Sequence, residues 1–228
     1  MRSLADLLSR RGPILMGILN VTPDSFSDGG DFVSIDRAVK YALQMASDGA
    51  DIIDIGGEST RPAGGAYGSG ATSVSIEEEL RRVLPVIGEI RSRNSDVLIS
   101  IDTQKASIAN AALQCGANII NDVSAGTNDK EMFATAAKLS APIILMHGHG
   151  PRFQKPRIED YEYQDVERDV YAYLEERIQA ARAAGVIEIL ADVGIGFAKG
   201  YQDNLRLLKA HAEFMSLSVP LVLGVSRK

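Results

Sequence analysis

One cysteine in 228 residues rules out a disulfide within the chain, and the apolar Ala111, Ala112 and Leu113 just before Cys115 read as the setting of a buried thiol. Long apolar runs are also missing. None approaches the roughly 20 residues needed to cross a bilayer. Segment 1–12 breaks its leucines with Arg, Asp and Ser, which speaks against a secretory signal. Lys and Arg are nowhere clustered and the net charge is −6, so neither a nucleic-acid backbone nor a membrane surface is an expected partner. These absences point to a cytoplasmic protein.

What is present is a substantial core: 45% of residues are hydrophobic and 24% charged, the balance of a soluble globular protein. The length is that of one domain, since a single α/β barrel often has about 250 residues. Short runs rich in Ile, Val and Leu recur at Ile14–Leu19, Asp51–Ile55, Val97–Ile101, Asn118–Ile120, Pro142–Met146, Ile187–Ala191 and Val219–Val225. Little alternation is evident in them, as expected for parallel strands buried on both faces. Between them, Asp36–Ser47 spaces Ala38, Val39, Ala42, Leu43 and Ala46 as a helix does. Ser75 with Glu78 reads as a capping box opening a helix through Arg93, and Gln164–Ala184 forms the longest amphipathic stretch. An internal echo links Gly49-Ala50-Asp51-Ile52-Ile53-Asp54 to Gly116-Ala117-Asn118-Ile119-Ile120-Asn121 and, loosely, to Gly185–Leu190. Each glycine stands where a helix must end in a left-handed turn before the next strand. Seven strands alternating with helices fit a closed (β/α)8 barrel or an open doubly wound sheet. No G-x-G-x-x-G follows the first strand, which disfavours the dinucleotide form of the open sheet.

Polar residues close each apolar run: Asn20; Glu58 with Ser59, Thr60 and Arg61; Asp102-Thr103; Asn121-Asp122; His147; Asp192; and Ser226-Arg227-Lys228. In a barrel these positions converge on the C-terminal mouth, where such enzymes keep their chemistry. Helix N-caps also favour Asp, Asn, Ser and Thr, and explain any one of these residues about as well. Caps do not explain Arg61, His147 and Lys228 at the same level. Two carboxylates (Asp102, Asp192), two carboxamides (Asn20, Asn121) and two cations (Arg61, Lys228) therefore make a candidate pocket for a flat polar heterocycle carrying an anion.

Two segments are more specific. Gly17-Ile18-Leu19-Asn20-Val21-Thr22-Pro23-Asp24-Ser25-Phe26-Ser27-Asp28-Gly29-Gly30 and Asp54-Ile55-Gly56-Gly57-Glu58-Ser59-Thr60-Arg61-Pro62 resemble the two signatures of the dihydropteroate synthases, the pterin-binding TIM-barrel family. Ile101-Asp102-Thr103, Ile120-Asn121-Asp122, Asp192–Phe197 and Ser226-Arg227-Lys228 follow in the order of that family. The resemblance implies a folate-pathway transferase that joins (7,8-dihydropterin-6-yl)methyl diphosphate to p-aminobenzoate. It implies that Asp192 accepts from the guanidine-like edge of the pterin, that Asp102 and Asn121 complete the in-plane hydrogen bonds, and that Lys228 reaches the opposite edge. Asn20 resembles a magnesium ligand, with diphosphate and water supplying the other oxygens. Thr60 and Arg61 resemble the residues that contact diphosphate, and Pro23, Phe26 and Phe197 those that wall the aminobenzoate ring. The implied reaction is largely dissociative, with Asp102 stabilising the pterin-methyl cation; Arg61 and Lys228 belong with it to the expected catalytic set. It needs no covalent enzyme intermediate, in keeping with the lack of a Ser-His-Asp or Cys-His arrangement. A homodimer is the assembly the resemblance implies.

The sequence departs from that family in three places. Ala63–Ala71 reads as a Gly-rich insertion in the second loop. Val193 stands where the family has proline, a change expected to be tolerated because Asp192 is kept. The chain stops at Lys228, where the family continues with an eighth strand, so it reads as truncated or completed by another polypeptide, with open edges on its first and seventh strands. Three other functions compete: a pterin-dependent methyltransferase, a non-catalytic pterin-binding barrel, and a metal hydrolase built on His147-Gly148-His149. The methyltransferases lack the Thr-Pro-Asp-Ser-Phe loop, and the histidine pair has no carboxylate cluster beside it.

Overall fold

The computed structural model describes residues 3–22, 30–58, 74–148 and 163–225. The chain forms two compact units, one through Asn121 and the other from Asp122 onward. The first contains α1 (Leu4–Leu8), β1 (Met16–Asn20), α2 (Gly30–Ser47), β2 (Ile52–Gly56), α3 (Ile76–Arg93), β3 (Leu98–Asp102), α4 (Ala106–Cys115) and β4 (Ile119–Asp122). Its strands pair in parallel in the order β1-β2-β3-β4. The second contains α5 (Met132–Lys138), β5 (Ile143–Met146), α6 (Val166–Ala183), β6 (Ile189–Asp192), α7 (Tyr201–Lys209), a 3-10 turn (His211–Leu217) and β7 (Leu221–Val222), with parallel pairs β5-β6 and β6-β7.

Every expected strand is present, but β1, β2, β3, β4 and β6 run one or two residues beyond the apolar stretches. A parallel ladder is made by the backbone, which carries a polar side chain as readily as an apolar one. Asn20, Asp102 and Asp192 are therefore the last residues of their strands, not the first residues of the turns. The sixth strand begins at Ile189, since Ile187 is 86% exposed in the preceding connection. The seventh is shorter than expected: Pro220 has no N–H to donate and only accepts, from Ala191 N–H.

The strands are buried on both faces, as their near-continuous apolar runs predict: all five residues of β2 and the first four of β3 are buried. Ile53, Ile55, Ile99 and Ile101 are fully buried, and Gly17 lies against Ile53 and Met45 of α2, which marks the helix-covered face. Because register partners in a parallel sheet share a face, the other face carries Ile18 and Asn20, Asp54 and Gly56, Ser100 and Asp102, and Asn121. That face is mixed: the buried Ile52, Leu98 and Ile119 also lie on it, and polar side chains gather toward the strand ends.

The helix signals hold with two adjustments. Ser75 Oγ accepts from Glu78 N–H, the first half of the expected capping box, but the Glu78 carboxylate takes Arg81 and Arg82 instead of turning back to the cap. Cys115 is a free thiol, half-buried rather than buried. It ends α4 one turn beyond the buried Ile108, Ala109 and Ala112, with Sγ 3.4 Å from Leu84 O. The three echoed glycines, Gly49, Gly116 and Gly185, all have φ near +100° (+112°, +118° and +93°), the left-handed turn that the repeat calls for.

Candidate active site

The tips of the first four strands form one row. Asn20 pairs in register with Gly56, Gly56 with Asp102, and Asp102 with Asn121, so these residues stand side by side on the same face. Gly56 keeps the row open: a β-carbon there would stand 3.3 Å from Asp102 Oδ2 and 3.6 Å from Asn20 Oδ1. These two oxygens flank the gap. Hard divalent cations take oxygen ligands, and magnesium keeps much of its coordination for water and substrate phosphates. Asn20 therefore fits the metal ligand expected of it.

Below the row lies a carboxylate to which the sequence reading gave no role. Asp54, two residues before Gly56, is 3% exposed, and its Oδ2 accepts from Asn121 Nδ2 at 3.0 Å. Burial pushes its carboxyl up, and the neighbouring Ser100 hydroxyl and Asn121 amide oppose that shift. Asp54 Oδ1 and Ser100 Oγ, register neighbours on the same face, make no hydrogen bond of good geometry among the described residues. Buried polar atoms are normally satisfied, and an exception marks a place where water or ligand completes the set. Asp54 was legible as the one charged residue inside Ile53-Asp54-Ile55, where alternation points it away from the helices.

Neither Asp122 nor Asn121 caps a helix, since α5 begins at Met132 with Glu131 before it. Asp122 Oδ1 accepts from the N–H and hydroxyl of Ser124, and Oδ2 from Gly126 N–H, so this carboxylate belongs to its own turn. Asn121, one residue earlier and on the opposite face, turns to Asp54.

In the second unit Asp192 ends β6 and its Oδ1 accepts from Gly194 N–H at 2.7 Å. Burial pushes it up to about 6, against the pull of that N–H and of the Lys199 ammonium. The turn needs glycine at 194: its φ is +71°, and a β-carbon would come within 2.2 Å of His147 O. Val193 is buried and the Asp192–Gly194 bond forms without a proline. Lys199, which the sequence reading passed over, is 1% exposed, and its ammonium donates to the carbonyls of His147, Gly194 and Phe197 at 2.9, 3.0 and 2.9 Å. Burial pulls this group down to about 7, with Asp192 and Asp203 opposing. Phe197 is half-buried in the same turn. The His147 ring is buried edge-on against Tyr173, 4.8 Å between centroids, with Tyr163 at 6.1 Å. That packing makes it part of an aromatic cluster, whatever its place at a strand tip. Pro23, Phe26, Thr60, Arg61, His149 and Lys228 lie outside the described residues.

The chain is similar to known proteins in both sequence and fold. A family model described as a pterin binding enzyme matches residues 16–228. The dihydropteroate synthase of Streptococcus pyogenes serotype M6 is 49% identical over 216 residues, which are 94% of this chain and 75% of that protein. A solved structure of Xanthomonas albilineans dihydropteroate synthase with 4-aminobenzoic acid superposes with a TM-score of 0.85 at 43% identity, covering 96% of this chain and 74% of that one. Another from the same organism, in complex with 7,8-dihydropteroate, gives 0.80 at 39% identity over 96% and 74%. The fold class is accordingly α/β, of the (β/α)8-barrel type with seven strands among the described residues. By sequence and by fold the chain belongs to the pterin-binding enzymes, among the dihydropteroate synthases.

Proposed function

We propose that the chain condenses (7,8-dihydropterin-6-yl)methyl diphosphate with p-aminobenzoate, giving 7,8-dihydropteroate and diphosphate. The observation that carries this reading is the row Asn20–Gly56–Asp102–Asn121 above the buried Asp54, hydrogen-bonding side chains at one level of one sheet face. In the reaction the bond from the pterin methylene to the diphosphate oxygen breaks with its electron pair going to the diphosphate. The aniline nitrogen then forms the new bond to carbon and releases a proton. Asp192 serves as the acceptor for the guanidine-like pterin edge, and Asp102 and Asn121 bind in the ring plane. Asp102, at the sheet tip, stabilises positive charge that develops only as the leaving group departs. Asn20 would hold magnesium, whose chemistry there would be to supply positive charge to the diphosphate. Thr60 and Arg61 act on the diphosphate, Lys228 on the pterin, and Pro23, Phe26 and Phe197 on the aminobenzoate ring, all by family resemblance. A cytoplasmic homodimer is part of the same proposal; among the described residues no helix is long and apolar enough to span a membrane.

Turnover decides between this reading and a non-catalytic pterin-binding barrel. With magnesium and both substrates, the purified chain is expected to form dihydropteroate, detected by mass. Pterin binding without product would contradict the catalytic reading. Binding carries its own pH signature. Both Asp192 oxygens accept only when the carboxyl is ionised, since protonation turns one of them into a donor, and burial pushes the carboxyl up to about 6. Affinity for 6-hydroxymethyl-7,8-dihydropterin should therefore be fully developed above that pH and lost as pH falls through it, by about tenfold at one unit below. A flat profile from pH 7 to 5 would remove Asp192 from the site.

A further inference from the structure

The contact between Asp54 and Asn121 joins strands that are not neighbours. β3 lies between β2 and β4, so the two side chains together span about 10 Å of sheet. They meet across the face of β3, where the buried Ser100 pairs with Asp54 in register. A serine there is short enough to leave that path open. Asn121 Nδ2 donates to Asp54 Oδ2 at 3.0 Å, and Asp54 is 3% exposed. Packing gives no reason for a carboxylate at this place. Ile52, Leu98 and Ile119 lie on the same face, and an apolar side chain among them avoids the cost of burying charge.

The direction of the bond decides what Asn121 can offer. A carboxamide has an oxygen on one side and an NH2 of nearly the same shape on the other, so packing alone does not choose between its two orders. An ionised carboxylate only accepts. With Asp54 beneath it, Asn121 must turn its NH2 side down. The reverse order would set Asn121 Oδ1 against Asp54 Oδ2, two oxygens with no hydrogen between them. Among the described residues the amide makes this one side-chain hydrogen bond, so its carbonyl and its second N–H remain for a ligand, side by side in a fixed order. A ring edge that sets a bare nitrogen beside an amino group, as N1 and the 2-amino group of a pterin do, meets that pair with two parallel hydrogen bonds. Against the reverse order the same edge would bring donor to donor and acceptor to acceptor.

We propose that Asp54 is a positioning residue for pterin recognition: it takes one Nδ2 hydrogen of Asn121 and so holds the amide in the single order that matches the aminopyrimidine edge of the ring. Asp54 acts through Asn121 and needs no contact with the ligand. The inference rests on the proposed function in naming a pterin as the ligand served.

A double-mutant cycle on the whole chain tests it. Calorimetric titration with 6-hydroxymethyl-7,8-dihydropterin compares the parent, Asp54→Leu, Asn121→Ala and the double variant; leucine is close to aspartate in shape and accepts nothing. An untethered amide samples three χ1 wells in two orders, so about one state in six is competent and Asp54→Leu should weaken binding about sixfold. In the Asn121→Ala background the same change should alter affinity by less than about twofold, because the residue through which Asp54 acts is gone. Losses that add, or no loss in Asp54→Leu, overturn the proposal. The amide gives a second reading by nuclear magnetic resonance of the chain labelled at asparagine. In the parent the Nδ2 proton of Asn121 held by Asp54 should lie downfield of free asparagine amides, and that shift should shrink in Asp54→Asn, which keeps the shape and the fold should leucine prevent folding. An unshifted signal in the parent also overturns the proposal. If the parent binds no pterin, the proposed function fails for this chain, and the Asn121 signal alone decides the role of Asp54.

Discussion

Asp192→Asn is expected to weaken binding of 6-hydroxymethyl-7,8-dihydropterin by at least about 100-fold, a cost of about 3 kcal/mol or more, while the fold stays intact. The reason lies in the turn. Asp192 Oδ1 is fixed by Gly194 N–H, in a loop where Gly194 cannot gain a side chain. An asparagine keeps that bond with its carbonyl oxygen, so its NH2 takes the place of Oδ2 and presents donors to the donor edge of the pterin. The charge is lost as well, and with it the charge-assisted part of the contact. Calorimetric titration measures the loss, and circular dichroism with a denaturation curve checks the fold. A loss below about fivefold would mean that Asp192 does not meet the ligand.

The second large effect falls on stability. Lys199→Met should destabilise the chain by about 3 kcal/mol, because the carbonyls of His147, Gly194 and Phe197 lose their shared donor in a site that water does not reach. Methionine fills most of the volume and removes the cost of burying a charge, so the loss stays below what three separate unsatisfied carbonyls would sum to. Lys138→Met, at an exposed position on α5, should change stability by no more than about 0.5 kcal/mol. Urea denaturation of the three proteins gives the comparison. Equal midpoints for Lys199→Met and the parent would show that the buried ammonium holds nothing in place.

Much of the architecture was legible from elementary features. Parallel strands announced themselves as short Ile- and Val-rich runs, and the echoed Gly-Ala-Asp-Ile-Ile-Asp and Gly-Ala-Asn-Ile-Ile-Asn marked the left-handed turns found at Gly49 and Gly116. What escaped was the polar part of one sheet face. Hydrophobicity counts fasten on Ile53, Ile55, Ile99 and Ile101 and pass over the residues between them, yet Asp54 and Ser100 share a face with Gly56 and Asp102. Asn20, Asp102, Asn121 and Asp192 stand out as candidates in the sequence because each closes an apolar run. That pattern could not separate Asn121, which reaches Asp54, from Asp122, which caps its own turn; only the direction of the side chains does. Nor does any local pattern reveal Lys199. Its partner carbonyl at His147 lies 52 residues away, so burial and pairing become visible only once the chain is folded.

The most direct test of the account is a crystal structure of this chain with 6-hydroxymethyl-7,8-dihydropterin. It should show one ring within hydrogen-bond distance of the side chains of Asp102, Asn121 and Asp192, with Asp54 beneath Asn121. A pterin bound elsewhere, or touching none of these side chains, would contradict it.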